Sequence, residues 1–417
     1  MKNRLIFFVT IIAVVFAGCT KDMVSEKYTF FRPVYKTRAE VKANIKSDVP
    51  VNVSTPGKLF VKGNYVYLNE INKGIHIIDF SNPASPKNVS FINIPGCEDM
   101  AVRGNYLYAD CYTDLVTMDI SDPLNVVVKQ FIEGVFPHRV YVGGFIADTN
   151  RVITEWVRVD TVINHRMEQR QPVWFANDVL MSFASTSSSY SPGSGVTNGV
   201  GGSMARFGLM GERLYTISWS DMKVFNTADA SKPVYVKTIA MNQGSIETIF
   251  PYKDKLFIGS QSGMFIYNAA NPDNPVKQGQ FSHARVCDPV IADDNYAYVT
   301  LRSGSSCMGF LNQLDVIDVS NLSAPVLVKS YLLTSPFGLS KDGNTLLICD
   351  GKDGLKVFNA ANASNVFQTG KVTGIETYDV IALNGIALTV AKDGLYFINY
   401  TNPSAPAVVG KVTITHP

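Results

Sequence analysis

The stretch from Gly63 to Pro86, GNYVYLNEINKGIHIIDFSNPASP, constrains the fold more than any other, because altered copies of it return along most of the chain. From Asn64 to Glu70 the residues Tyr65, Tyr67 and Asn69 alternate with Val66 and Leu68, the two-residue period of a strand. Aromatic and β-branched residues favour that conformation. Lys73-Gly74 follows, where a glycine can take the positive φ of a tight turn, and Ile75 to Asp79 runs straight back. Asp79-Phe80-Ser81-Asn82-Pro83 then leaves the sheet through short side chains that accept hydrogen bonds from backbone a few positions on. Pro86 blocks pairing there and opens a third strand.

The position of Asp79 returns as Asp119, Asn226, Asn268, Asp318, Asn359 and Asn399, mostly at intervals of about 40 residues, the period of one four-stranded propeller blade. Asp and Asn exchange freely at this position, so an acceptor oxygen is needed and not a charge. These residues read as turn caps and not as catalytic or metal-binding carboxylates. The expected fold is therefore all-β: a β-propeller of seven four-stranded blades over residues 50–417.

The copies GNYVYLN, GNYLYAD, DNYAYVT, DGLKVFN and DGLYFIN, with endings such as SNPASP, resemble the LVIVD repeat of bacterial surface proteins and lipoproteins. The resemblance implies a β-propeller. It implies no reaction, since that family is defined by its scaffold.

Between Asp119 and Asn226 the interval fails, leaving about 65 residues in excess of one repeat. Arg139 to Ile163 has strand character, and an eighth, degenerate blade in 138–180 is the alternative to seven. Ser182 to Ser203 is rich in Ser and Gly and reads as a mobile loop. The whole insertion, about 138–203, is of a length that is often functional. A smaller one spans Arg302 to Gly309. Val51 to Val53 is placed to pair with the last blade and close the ring.

At the other end of the chain, Lys2 and Arg4 precede the apolar run Leu5 to Phe16, too short to span a bilayer, and Ala17-Gly18 stands directly before Cys19. This reads as a lipoprotein signal over 1–18 with Cys19 as the lipidated residue. It places the protein outside the cytoplasm, on the bacterial outer membrane, with the lipid as its only membrane contact. Thr20-Lys21-Asp22 weakly resembles a surface-export tag. Residues 19–49 then read as a tether. Without Lys2 and Arg4 the basic residues number 35 against 35 acidic ones, which argues against nucleic acid as a partner.

Five cysteines remain besides Cys19. Cys97 and Cys111 stand symmetrically about Gly104, and a hairpin centred there puts them opposite each other, so a disulfide is expected. Aligning Tyr296 with Tyr106 brings Cys287 to the place of Cys97 and suggests a second bridge, Cys287 to Cys307. An exported chain permits both. Cys349 reads as a buried thiol.

No phosphate loop, zinc motif or nucleophile elbow is present, and the sequence points to no metal and no cofactor. The candidate ligand-binding residues lie where one blade hands over to the next: Glu98, Asp99, His138, Arg139, Glu247, His283, Arg285, Asp288 and Glu376. In a propeller these loops gather round the mouth of the central channel and can form a binding funnel. The other reading is that they satisfy strand ends or contact water. Tyr65, Tyr67, Tyr106, Tyr108, Tyr296 and Tyr298 read as packing residues. The favoured function is a non-enzymatic binding module for an envelope protein or glycan. The alternatives are a hydrolase with paired carboxylates at the mouth and a structural or assembly scaffold.

Overall fold

The computed structural model describes residues 23–136, 150–166, 200–241, 246–282, 289–303 and 311–415. The chain divides into two compact units, residues 1–38 with 141–181 and residues 39–140 with 182–417.

The first unit is a two-stranded antiparallel ribbon in which Met23–Thr37 pairs with Arg151–Arg166. Its register runs from Met23 opposite Arg166 to Thr37 opposite Arg151, with one irregularity at Val34/Tyr35. This revises two expectations. The described part of 138–180 is one arm of a ribbon and not an eighth blade, and the described start of the presumed tether is the other arm. The rest of that tether forms a helix, Arg38–Ala43, and a short strand, Lys46–Asp48, which adds to the outer edge of the first blade.

The second unit is the propeller, with seven blades of four antiparallel strands, A to D from the centre outwards. The A strands are Pro56–Lys62, Met100–Arg103, Phe207–Met210, Ile246–Tyr252, Val290–Ala292, Leu339–Asp342 and Thr377–Leu383. Inward-facing β-branched and aromatic residues of neighbouring blades interdigitate. In one seam Leu59, Val61 and Leu68 of blade 1 pack with Ile381, Leu388 and Phe397 of blade 7. That seam closes the ring, and Val53 forms a parallel bridge with Ile414 there, as expected. Thr415 N also donates to Val53 O at 2.9 Å.

The turn caps stand as the sequence suggests. Asp79 accepts from Ser81 N at 2.8 Å, Asp119 from Ser121 N at 3.0 Å and Asn226 from Ala228 N at 2.8 Å. Asn268, Asp318, Asn359 and Asn399 repeat the bond to the residue two positions on. Tyr67, Tyr108 and Tyr298 are buried in B strands. Tyr108 Oη donates across to Ala230 O in the C–D turn of the next blade, at 2.8 Å. At the B–C turn, Gly354 takes φ +86° with its Cα packed against the D strand, and a Cβ there would stand 2.0 Å from Val372 O.

The expected Cys97–Cys111 disulfide is absent, and both residues are buried thiols. Arg103 pairs with Tyr106 across a two-residue turn, Gly104-Asn105, where the symmetrical reading assumed three residues. That one-residue slip moves Cys111 off the position opposite Cys97 and turns it to the other face. Cys97 Sγ instead receives Asn69 Nδ2 at 3.4 Å, and Cys111 Sγ donates to Pro95 O at 3.4 Å. Cys287 and Cys307 lie outside the described residues. Cys349 is a buried thiol, and burial pushes its pKa well up.

Candidate functional site: the channel mouth

Because the strands of a blade alternate in direction, each A strand starts where the B strand ends. The D-to-A crossings and the B–C turns therefore share one face. The registers of the A–B hairpins let equivalent positions be counted back from the turn. Four residues before the last A-strand residue facing the turn stand Lys58, Asp99, Arg206, Thr248, Pro289, Gly338 and Asp379, one from each blade. Blades 7, 1, 2 and 3 thus bring Asp, Lys, Asp and Arg to one level of the channel.

Asp99 sits at the centre of this row and is buried. Its Oδ1 accepts from Met100 N at 2.7 Å, and its Oδ2 from Lys58 Nζ at 2.8 Å and Arg206 N at 2.6 Å. The Arg206 guanidinium reaches Glu98 Oε2 at 3.0 Å and Asp110 Oδ2 at 3.9 Å. Asp110 Oδ1 in turn accepts from the Glu98 and Asp99 amides at 2.7 and 2.8 Å. Burial works against charge on Arg206, but Glu98, Asp110 and Asp99 together hold its pKa above the usual value. For Lys58 burial prevails over the attraction of Asp99 and lowers the pKa.

Asp379, at the same level in blade 7, is treated differently. It is fully buried; its Oδ1 accepts from Val380 N at 2.8 Å, and Oδ2 has no hydrogen-bond partner among the described residues. Burial pushes its pKa well up, against weaker pulls from the Val380 amide and Lys58.

One residue deeper, the chain itself crosses the channel. Val200–Gly201 pairs with Val61 and Phe60 on the inner edge of blade 1. Gly202 N donates to Leu59 O at 3.4 Å, Ser203 Oγ accepts from Leu339 N of blade 6 at 3.1 Å, and Ala205 O accepts from Ile249 N of blade 4 at 2.9 Å. Leu59, Ile249 and Leu339 are equivalent by the same count, so residues 202–205 floor the mouth directly beneath the charged row. Ser203, Met204 and Ala205 are buried. The end of the Ser/Gly-rich stretch, expected to be a mobile loop, is thus part of the core; residues 182–199 lie outside the described residues.

One residue nearer solvent than the charged row stand Glu98, Glu247, Phe337 and Tyr378. The A strand is irregular at Glu247 and at Tyr378, which re-aims both side chains. At the first position of the B–C turns, on the same face, stand Tyr112, Trp219, Gln261, Arg302 and Lys392. Gln261 Nε2 donates to Glu247 Oε1 at 2.9 Å, and Arg302 lies 4.2 Å over the Phe337 ring. Phe337 meets Tyr378 edge-on with centroids 5.3 Å apart. Burial raises the pKa of Glu247, opposed by Gln261, Arg302 and Lys58; burial and Glu376 push Tyr378 up to about 12. Trp219 is 62% exposed, and its carbonyl accepts from Ile246 N beside Glu247.

Of the residues nominated from sequence, Glu98, Asp99, Glu247 and Glu376 are on this face, Glu376 with Lys392 Nζ at 3.5 Å. Asp99 and Glu98 are engaged in the ion lattice, and Glu376 ends the crossing into blade 7, three residues before Asp379. His138, Arg139, His283, Arg285 and Asp288 lie outside the described residues. Lys58, Asp110, Arg206, Arg302, Trp219 and Asp379 were missed; aligning the copies on the A–B turn would have found Lys58, Arg206 and Asp379 as partners of Asp99. Glu70 and Asp350 were missed too. At the ends of their B strands they accept the Ser54 and Thr55 amides and the Thr334 and Ser335 amides, tying down the crossings into blades 1 and 6. Each is also paired with a C-strand base, His76 at 3.1 Å and Lys356 at 2.5 Å. Among the described residues, no three His, Cys, Asp or Glu side chains gather as metal ligands would.

The family model described as the LVIVD repeat matches residues 57–93, 97–131 and 285–333. The chain carries LVIVD repeats. The matched segments span the strands of blades 1, 2 and 5, so these LVIVD repeats and the blades coincide. No curated protein matches the sequence. Among solved structures, the chain is similar to a periplasmic gluconolactonase of Pseudomonas aeruginosa, with TM-score 0.54 and 13% identity over 87% of this chain and 98% of that one. It is also similar to the computationally designed protein Ika8, with TM-score 0.52 and 8% identity over 89% and 92% of the two chains. A protein from Lactobacillus plantarum gives TM-score 0.50 and 12% identity over 84% and 96%. At such identities these likenesses speak for the fold alone.

Proposed function

We propose that this protein is an exported propeller, held to the bacterial outer membrane by a lipid on Cys19, that binds an envelope protein or glycan at the floored mouth of its channel and does no chemistry on it. The signal-like run Leu5 to Phe16 before Ala17-Gly18-Cys19 supports the address. No described helix is long and apolar enough to cross a membrane, so the lipid is the proposed attachment.

The observation that carries the binding reading is the state of Asp99. A carboxylate working as acid, base or nucleophile needs an oxygen directed at substrate. Both oxygens of Asp99 are already taken by Met100 N, Lys58 Nζ and Arg206 N, while Glu98 is tied to Arg206. Just below, residues 202–205 close the channel, which favours a mouth that receives a ligand over a passage. The hydrolase reading rests on Glu247, whose pKa burial raises in the direction a general acid needs.

The test is retention of envelope proteins and glycans on the immobilised full-length protein, alongside turnover of chromogenic glycosides, esters and lactones. Retention without turnover is expected. Turnover lost on Glu247→Gln would replace this reading by the hydrolase, and neither retention nor turnover would leave the scaffold role.

A further inference from the structure

The seven copies carry two kinds of position. Where the fold needs a particular group, the copies agree: the turn cap is Asp or Asn in all seven, from Asp79 to Asn399. At two rim positions they differ. The first runs Gly57, Glu98, Glu247, Phe337 and Tyr378 in the blades where it is described, while its equivalent in blade 3, Ala205, belongs to the floor. The second runs Ile71, Tyr112, Trp219, Gln261, Arg302, Gly351 and Lys392. Both face the mouth side; backbone space calls for glycine at Gly57, where a Cβ would stand 2.3 Å from Asn69 Oδ1, and at Gly351, with φ +56°, and elsewhere the residue type varies. Positions whose residue type varies in this way, gathered on one face, can be shaped to a ligand without the seven-fold sameness of the scaffold.

Their chemistry is unequal round the ring. On the side of blades 1 to 3, the three carboxylates Glu98, Asp99 and Asp110 are engaged by the two bases Lys58 and Arg206. The opposite arc, from blade 3 to blade 7, alternates flat rings with flat hydrogen-bonding groups: Trp219, Glu247 with Gln261, Arg302 on Phe337, then Tyr378. Carboxylate, amide and guanidinium are planar and bind in pairs of adjacent atoms, as the vicinal hydroxyls of a sugar require. Aromatic faces take the apolar C–H face of a pyranose ring. A protein partner would call for a broader apolar centre.

The geometry points to this arc as an oligosaccharide-binding site, with Trp219, Phe337 and Tyr378 as stacking surfaces and Glu247, Gln261 and Arg302 as the hydroxyl-binding groups. The inference rests on the binding reading above and names its ligand class.

The experiment is a screen of full-length protein in detergent against an array of neutral and uronate-containing oligosaccharides. Hits are titrated by tryptophan fluorescence, and Trp219→Ala, Glu247→Gln and Leu124→Ser are compared with the unaltered chain. Leu124 is exposed on the opposite face, in a C–D turn. The expected result is an oligosaccharide whose affinity falls about tenfold or more in Trp219→Ala and Glu247→Gln and is unchanged in Leu124→Ser. Trp219→Phe is expected to restore much of the loss, and matching thermal melts would show that the variants fold. Equal binding by all variants, or no oligosaccharide bound at about millimolar concentration, overturns the inference. If the same face instead retains an envelope protein, and loses it in Trp219→Ala, the saccharide falls while the binding reading stands. If neither is retained, both fall.

Discussion

Lys58 Nζ and Asp99 Oδ2 lie 2.8 Å apart although they begin different blades, and each stands at the same count from its own hairpin turn. The pair is a link between blades 1 and 2 at the level where the channel narrows onto residues 202–205. A buried charge deprived of its partner is costly, whereas removing both charges is often tolerated.

Lys58→Met is therefore expected to destabilise the propeller by about 3 kcal/mol, within the range for breaking one side of a buried pair. The double variant Lys58→Met/Asp99→Asn should recover more than half of that loss. Chemical denaturation of the four proteins in a double-mutant cycle measures it, and simple additivity would refute the coupling.

Glu70 gives an acid-sensitive contribution. Burial alone would raise its pKa, but hydrogen bonds from His76, Ser54 and the Ser54 and Thr55 amides bring it from an ordinary 4.5 to about 2. The lowered pKa means that the charged form is the one favoured by folding. Its contribution is complete above about pH 4.5 and is lost as the pH falls towards about 2. Glu70→Gln should lower the melting temperature at pH 7 and flatten this part of the pH profile.

Asp379 has the opposite sign. Its raised pKa means that folding favours the protonated acid, so wild-type stability falls as the pH rises above the ordinary 3.8 towards the raised value. Asp379→Asn, which mimics the neutral acid, should be more stable than wild type at pH 7 and equal to it near pH 3. Melting curves across that range decide the matter; an Asn variant less stable at pH 7 would show that the charge is held by a partner.

Ring closure depends on a glycine. A Cβ at Gly410 would stand 2.0 Å from Pro83 O of blade 1, and Gly279 and Gly370 make the same close approach to Leu322 and Pro403 of their next blades. Gly410→Val is expected to cost about 1–3 kcal/mol by overpacking the seam. It should also expose the last blade to limited proteolysis before the others.

For the thiols, alkylation of denatured, unreduced protein followed by peptide mapping should find Cys97 and Cys111 separately modified. A linked peptide would restore the hairpin register with a three-residue turn.

How much was legible follows the range of the interactions. The ribbon was not, because Phe30, Phe31 and Tyr35 of Met23–Thr37 stay exposed and no two-residue hydrophobic period appears there. The cysteine pairing failed on one residue of turn length at Gly104-Asn105. Glu98, Asp99 and Glu247 stand at or just before the starts of their A strands, a position that can be read from the repeat because a crossing ends where its strand begins. Their partners Lys58, Arg206 and Arg302 come from other blades, so nothing within a single repeat points to them.

The sequence by itself determined the repeat, a propeller of seven or eight blades and the turn caps, because a bond such as that from Ser81 N to Asp79 spans two residues and needs nothing beyond its own loop. Only the tertiary structure decided that Asp379, Lys58, Asp99 and Arg206 share one level and that residues 202–205 floor it. Those relations exist between blades, and closing the ring is what brings into one row residues spread from position 58 to position 379.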